Sequence, residues 1–220
     1  MTTITTQRVR ELLDRLYADE QVKDPPAIET HISHNRPLED YSHQELNELF
    51  SEAYLPVDRQ VGDFLYVLTR GIKAKRVVEF GTSFGISTIF LASAVQDNGG
   101  GVVIGTEAVP AKAAVARKNL EEAGLDGLLD LREGDARETL ADVEGPIDLL
   151  LLDAWKDLNL PILKLVESKL APGALVIVDD TDHSPQIHVP YLEYVRTSGK
   201  YHTATVPIGD GMEISTWLGE

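Results

Sequence analysis

The sequence predicts an α/β fold: a doubly wound, mostly parallel sheet of seven strands, an antiparallel C-terminal hairpin and extra N-terminal helices. Short aliphatic runs alternate with helical patterns from residue 76 onward, and parallel strands buried on both faces have this composition. The first run, which contains Val77 and Phe80, leads into a turn with Gly81 and Gly85 and then into a helix. This succession is typical of a Rossmann-like nucleotide-binding domain.

The remaining elements of the sheet follow from the same alternation. The later strands are predicted at 102–105, 128–131, 147–152 and 174–178. The first helix of this part is predicted to start at 86, and the others are predicted at 110–124, 136–142, 158–170 and 188–197. Pro110 is a favourable first-turn residue and Gly124 a favourable end for one of these helices. Two alternating runs, 201–206 and 212–218, flank an Asp-Gly pair and predict the hairpin.

The N-terminal part is predicted to consist of helices, without the strands that alternate with helices in the rest of the chain. The predicted elements are a helix over 5–19 that Pro25-Pro26 ends, a loop or short helices over 27–42, a helix to Phe50 and a helix over 56–72. Ser42 followed by Glu45 is a capping-box pattern that opens the third of these elements. We therefore predict a helical cap over 1–55 and the main domain over 56–220.

Composition excludes several classes of function. The formal net charge of −16 argues against a nucleic-acid partner, because gripping phosphates needs a basic face. With no cysteine, the chain has no disulfide, thiolate nucleophile or cysteine-ligated zinc. The N-terminus lacks a signal-type apolar segment, and no run reaches the ~18 apolar residues that span a bilayer. The sequence thus predicts a cytoplasmic protein without a membrane partner.

Five carboxylates follow four successive predicted strands, and they are Glu107, Asp135, Asp153 and the pair Asp179-Asp180. A single Asp after a strand is more often a turn former or a helix cap. Five of them, however, would lie together at the carboxyl edge of a parallel sheet, where open α/β folds bind ligands. Like charges at one edge need cations between them. S-adenosylmethionine (SAM), with its sulfonium and ammonium groups, or a divalent metal ion would supply these.

Beyond these patterns, the chain resembles the catechol O-methyltransferase type of SAM-dependent methyltransferase, with its plant caffeoyl-CoA and bacterial relatives. The resemblance runs from about Pro56 to the C-terminus, and its most specific segment is LLLLDAWKDLNLP at 149–161. The motifs EFGTSFGIST, TEAVP, LREGDA, VIVDD and IGDGMEIS occur in the family's order. The resemblance implies a small-molecule substrate that is catechol-like or carries other vicinal hydroxyls, and it suggests a homodimer.

The resemblance also implies a role for individual residues. The cofactor-binding positions are Glu79, Gly81, Thr82 and Ser87 at the methionine part of SAM, Glu107 at the ribose, Asp135 and Ala136 at the adenine with Trp155 against its ring, and Asp153 as a further contact. Asp153, Asp179 and Asp180 match the ligands of a Mg²⁺ site, and such oxygen ligands also suit Mn²⁺ or Ca²⁺. Lys156, expected to have a lowered pKa, matches the general base, and Asp153 is the second catalytic residue.

Three positions depart from the family pattern. Asp180 stands where Asn is typical of the family, and Ala154 stands where the animal catechol enzymes have His. Glu213 aligns with an acid that contacts the second catechol hydroxyl in animal enzymes and that many relatives lack. Histidines near the site (His31, His34, His43, His183 and His188) are interpreted as loop residues.

Other functions stay open at the level of sequence. A metal-independent methyltransferase could act on a carboxylate or a tRNA nucleoside, which the acidic charge disfavours. A non-catalytic SAM-binding protein is a further alternative, although Lys156 and the three aspartates are all present. An NAD-dependent reductase is disfavoured because the fingerprint GxGxxG is absent.

Overall fold

The computed structural model describes residues 2–182 and 185–219 and contains one seven-stranded sheet. Its strands are β1 Arg76–Phe80, β2 Val102–Glu107, β3 Leu129–Glu133, β4 Ile147–Leu152, β5 Leu170–Asp179, β6 Tyr201–Val206 and β7 Met212–Trp217. Their spatial order is β3-β2-β1-β4-β5-β7-β6. The first five strands are parallel, and β7 lies antiparallel between β5 and β6. The predicted fold class is therefore confirmed, with the hairpin as its antiparallel edge.

Helices cover both faces of this sheet. They are α1 Gln7–His34, α2 His43–Leu49, α3 Arg59–Gly71, α4 Ile86–Asp97, α5 Pro110–Ala123, α6 Ala136–Thr139, α7 Asn159–Val166 and α8 Pro185–Thr197. Successive side chains of a strand point to opposite faces. Accordingly Leu149 and Leu151 of β4 pack in one apolar cluster, and Leu150 and Leu152 pack in another. Burial on both faces explains why the strand is aliphatic throughout.

Helix α1 differs from the sequence-based prediction. It runs through Pro25 and Pro26 to His34, so the helix end predicted at this pair is wrong, and residues 27–34, predicted as a loop or short helices, continue one long helix. A proline inside a helix costs about 3 kcal/mol, which other contacts must offset. Here the buried Asp24 carboxylate accepts the backbone N–H groups of Tyr54 at 2.6 Å and Leu55 at 2.7 Å. These contacts join α1 to the segment that follows α2.

Most other predicted elements are present, with shifted ends. The capping box of Ser42 and Glu45 opens α2 as predicted. By contrast, α3 begins at Arg59 rather than 56, β5 begins at Leu170 rather than 174, and α8 begins at Pro185 rather than 188. Among the described residues, no helix combines the length and the apolar character needed to cross a membrane.

Candidate active site

The carboxyl ends of the parallel strands open into a cavity of about 870 Å³. Its roof comes from the N-terminal part, with Ile28 and His31 of α1 and with Leu46 and Asn47 of α2. The cavity collects most of the residues predicted from the sequence, namely Gly81, Thr82, Ser87, Glu107, Asp135, Ala136, Asp153, Trp155, Lys156 and Asp180. Glu79, Asp179 and Glu213 do not line it. The sheet edge thus brings together residues that are up to 99 positions apart in sequence (Gly81 to Asp180).

The glycine turn after β1 is shaped by its neighbour β4. Gly81 has a φ of +104°, and a Cβ at this position would lie 2.1 Å from the carbonyl oxygen of Asp153. Only glycine fits such an approach, because any side chain would collide with the backbone. The Asp153 N–H donates to the carbonyl of Phe80 at 2.9 Å. The turn and the end of β4 therefore form one rigid wall.

Glu79 lies behind this wall and is fully buried. Its carboxylate accepts hydroxyl hydrogen bonds from Thr82 at 2.9 Å, Ser87 at 2.7 Å and Thr88 at 2.6 Å. Burial raises the pKa of Glu79 to about 7, and the three hydroxyl donors oppose that rise. Because Thr82 and Ser87 direct their protons at Glu79, they keep oxygen lone pairs to accept hydrogen bonds from a ligand's ammonium group.

Glu107 at the end of β2 is oriented by two backbone groups. One carboxylate oxygen accepts the N–H of Ser83 at 2.8 Å and the other accepts the N–H of Val109 at 2.8 Å. Each oxygen has a further lone pair for a ligand hydroxyl. Lys112 also lines the cavity, and burial lowers its pKa against the opposing charge of Glu107. Lys112 was not predicted as a site residue, since one lysine on a helix carries no distinguishing pattern.

The N-cap and first residues of α6, namely Asp135, Ala136 and Arg137, line the cavity after β3. Asp135 caps α6 by accepting the N–H of Arg137 at 2.8 Å, and it forms an ion pair with the Arg137 guanidinium at 2.5 Å. The hydrogen bonds from the Arg137 side chain hold the pKa of Asp135 below its usual value. Arg137 was not predicted as a site residue, although it follows directly after two that were.

Trp155 lines the cavity and is held from the N-terminal side. Its indole Nε1–H donates to Oδ1 of Asn47 at 2.9 Å, and its ring packs against Phe50 with centroids 6.2 Å apart. Both partners belong to the N-terminal part, which the resemblance did not cover. Neither partner was predicted from the sequence, because nothing in the local pattern around residue 47 indicates a contact with residue 155.

Lys156 lies between two of the predicted aspartates. Its Nζ is 3.1 Å from Oδ1 of Asp153 and 2.9 Å from Oδ2 of Asp180. Burial acts to lower the pKa of Lys156, but the charges of Asp153 and Asp180 outweigh it and raise the pKa. The expectation of a lowered lysine pKa is therefore wrong for this arrangement, because both carboxylates lie within ion-pair distance.

The third aspartate has a different environment. Asp179 is buried, and its Oδ1 has no hydrogen-bond partner among the described residues. Burial, followed by the charges of Asp153 and Asp180, raises the pKa of Asp179 to about 8. Three carboxylates with one unpaired oxygen are suitable donors for a hard cation. Within 2–182 and 185–219, however, no three Asp, Glu or His side chains are arranged to hold a metal ion, and the Lys156 ammonium bridges two of the aspartates.

The remaining candidate residues are the histidines near the site and Glu213. His31 and His34 lie in α1, His43 begins α2 and His188 lies in α8, so the loop interpretation is wrong for these four, whereas His183 lies outside the described residues. His31 and His43 line the cavity. Glu213 is buried away from it and accepts hydrogen bonds from Arg196, Thr203 and Thr205.

Replacement of Glu79 by Gln should change how stability depends on pH. Because the folded-state pKa is raised from 4.5 to about 7, the folded protein binds this proton more tightly than the unfolded chain. Wild type should therefore lose stability relative to Glu79→Gln as pH rises from 4.5 to 8, by on the order of 2–3 kcal/mol. Urea unfolding across this range measures it, with the exposed Glu133→Gln as control. Parallel curves for wild type and Glu79→Gln would contradict the burial argument.

Comparison with known proteins agrees with this geometry. A family model described as a methyltransferase domain matches residues 78–181. A catechol O-methyltransferase of Mycobacterium tuberculosis is 33% identical over 165 residues, which cover 73% of this chain and 74% of that protein. A catechol O-methyltransferase of Niastella koreensis is 32% identical over 161 residues, covering 70% of this chain and 72% of that protein.

Solved structures show the same relationship. The O-methyltransferase TomG from Streptomyces achromogenes, solved in complex with SAM, superposes with a TM-score of 0.69 at 25% identity. The alignment covers 79% of this chain and 86% of TomG. The chain therefore belongs to the class I, SAM-dependent O-methyltransferases, in the family of the catechol and caffeoyl-CoA O-methyltransferases.

Proposed function

We propose that this protein transfers the methyl group of SAM to a hydroxyl of a catechol-like acceptor, or of another small molecule with vicinal hydroxyls. The observation that carries the proposal is that one cavity holds the glycine turn, Glu107 and the Lys156 ammonium between Asp153 and Asp180. The first two groups suit the cofactor, and the third suits an ionisable acceptor. The catechol enzymes among the relatives support this choice of acceptor.

The proposed cofactor site follows the cavity wall from β1 to β3. Thr82 and Ser87 would face the amino-acid part of SAM, with Glu79 orienting their hydroxyls from behind. Glu107 would accept the ribose hydroxyls with the lone pairs that its two backbone donors leave free. Asp135 and Ala136 would lie at the adenine, with Trp155 beside the ring. Acidic groups on this wall would favour a cation such as the sulfonium.

The reaction requires an ionised acceptor oxygen and an aligned methyl group. A phenol has a pKa of about 10, so little phenolate exists at neutral pH. In the displacement, the acceptor oxygen forms a bond to the methyl carbon, the carbon–sulfur bond breaks, and the sulfonium becomes a neutral thioether. The acceptor proton passes to Lys156, which we propose as general base. Alignment in a closed cavity supplies much of the remaining rate enhancement.

Lys156 can accept this proton only if it is first neutral, and Asp153 and Asp180 oppose its deprotonation. We propose that Asp153, Asp179 and Asp180, which in this structure are not arranged to hold a metal ion, bind a divalent cation, Mg²⁺ before Mn²⁺ or Ca²⁺, when the Lys156 ammonium moves out from between Asp153 and Asp180. When bound, such a cation would neutralise these carboxylates and favour the ionised form of a nearby hydroxyl. The unpaired Oδ1 of Asp179 supports a cation here. The positive charge of Lys156 would then no longer be needed to balance the negative charges of the aspartates.

We propose that residues 1–55 act as the cap of this site, because α1 and α2 supply its roof. The cytoplasmic location and the homodimer stay predictions.

Methyl transfer should depend on a divalent cation. We expect transfer from labelled SAM to catechol and to caffeoyl esters with Mg²⁺, and loss of at least about 90% of the rate with EDTA, because the aspartates would then hold Lys156 protonated. Restoring excess Mg²⁺ should restore the rate, which controls for inactivation by the chelator. Transfer that survives EDTA would leave the methyltransferase in place and remove the metal from the three aspartates.

The substitution Lys156→Ala should lower kcat about 10²-fold or more, because it removes the proposed base. The affinity for SAM, measured by calorimetry, should stay within a few-fold of wild type. Lys118→Ala, at an exposed position of α5, is the matched control and should leave both quantities unchanged. If Lys156→Ala abolishes SAM binding as well, the lysine has a structural role and is not the base.

A further inference from the structure

Helix α2 contacts the loop that carries Lys156, and it does so through one face. His43, Asn47 and Phe50 are spaced four and three residues apart, which places them on the same side of a helix. Asn47 accepts the indole N–H of Trp155 at 2.9 Å. His43 Nε2 lies 3.0 Å from the carboxylate of Asp157. The two residues contacted, Trp155 and Asp157, are the immediate neighbours of Lys156 in the chain.

The position of the Lys156 backbone decides where its ammonium group lies. Asp153 and Asp180 directly follow the ends of β4 and β5, which the sheet holds in place. Lys156, by contrast, begins a single helical turn, Lys156–Leu158, with Trp155 as the preceding residue. The lysine thus reaches back to the sheet edge from a loop. Contacts to both of its neighbours fix this loop on the side of α2.

Helix α2 is itself well fixed and can act as an anchor. Its first turn has the capping box of Ser42 and Glu45, and Glu45 also pairs with Arg36 at 3.0 Å. Leu46 and Phe50 are buried in an apolar cluster that packs against Trp155. An indole N–H in a partly buried place needs an acceptor, and loss of that acceptor leaves an unpaired polar group. The acceptor here is a single atom, Oδ1 of Asn47.

We propose that Asn47 is a positioning residue for Lys156, with His43 as the second anchor: α2 holds the two neighbours of the lysine and so keeps its side-chain nitrogen, once neutral, aligned with the acceptor hydroxyl. The N-terminal cap then controls the proton-transfer step and does more than cover the cavity. This inference rests on the proposed function, since it takes Lys156 as the base.

The test compares acceptors that need the base to different degrees. In 4-nitrocatechol the nitro group withdraws electrons, so that a hydroxyl ionises without help, whereas catechol depends on Lys156. Asn47→Ala should lower kcat with catechol about tenfold, because a displaced base is costly, and should lower kcat with 4-nitrocatechol by less than about threefold. Asn47→Asp keeps an acceptor oxygen and should restore most of the catechol rate. Gln44→Ala, exposed on α2 and bonded to Glu48, is the matched control.

A second readout does not depend on activity. The chain has two tryptophans, so a nitrogen–proton correlation spectrum shows two indole signals, which Trp217→Phe assigns. Asn47→Ala should shift the Trp155 signal, and Asn47→Asp should return it toward the bonded position. The affinity for S-adenosylhomocysteine should stay within about threefold of wild type in each variant, because Phe50 still packs against the Trp155 ring when Asn47 is replaced.

The outcomes separate this inference from the function on which it rests. Equal losses with both acceptors, or a large loss of S-adenosylhomocysteine affinity, would place Asn47 in the cofactor pocket and overturn the positioning role. A shifted Trp155 signal with an unchanged catechol rate would overturn it as well. If wild type methylates neither acceptor, the proposed function fails and the inference fails with it. If wild type methylates both acceptors and Asn47→Ala has the same kcat with each, the positioning role is overturned and the proposed function stands.

Discussion

The ion pairs of Lys156 with Asp153 and Asp180 are the interaction on which the site depends. A parallel sheet brings the carboxyl ends of its strands to one edge, and in this chain those ends carry acidic residues. Burial raises the pKa of Asp153, as the close approach to Asp180 also does, while Lys156 counteracts both effects. Without a cation between them these carboxylates could not all stay ionised at close range. In this structure the Lys156 ammonium is the cation between Asp153 and Asp180.

The groups that face the cavity are oriented by groups that do not. Glu79 accepts the protons of Thr82 and Ser87 from behind the wall. The backbone N–H groups of Ser83 and Val109 aim the carboxylate of Glu107. Polar groups fixed before the ligand arrives need little reorganisation when it binds or reacts, and this is the main source of electrostatic catalysis in enzymes. The residues behind the cavity wall therefore connect the fold with the proposed chemistry.

The sequence predicts the features that depend on local pattern. Aliphatic runs such as 147–152 identify buried parallel strands, the capping box marks the start of α2, and residues after strands locate the acidic edge. Features that depend on distant contacts were not predictable. Asn47 and Trp155 are 108 residues apart, and the helix continues past Pro25 where Asp24 binds a segment 30 residues further on. The direction of the Lys156 pKa shift likewise depends on Asp180, which is close only in the folded chain.

The cavity at the carboxyl edge of the sheet is proposed to bind the cofactor. Calorimetric titration with S-adenosylhomocysteine measures this binding directly. We predict saturable binding of one molecule per chain to wild type. Glu107→Ala should weaken this binding by at least about tenfold, because it removes hydrogen bonds to a charged acceptor. Glu133→Ala changes an exposed residue at the neighbouring strand end, where Glu133 pairs with Arg117, and should leave the affinity unchanged. Binding that is absent in wild type, or unaffected by Glu107→Ala, would show that this cavity is not the cofactor site.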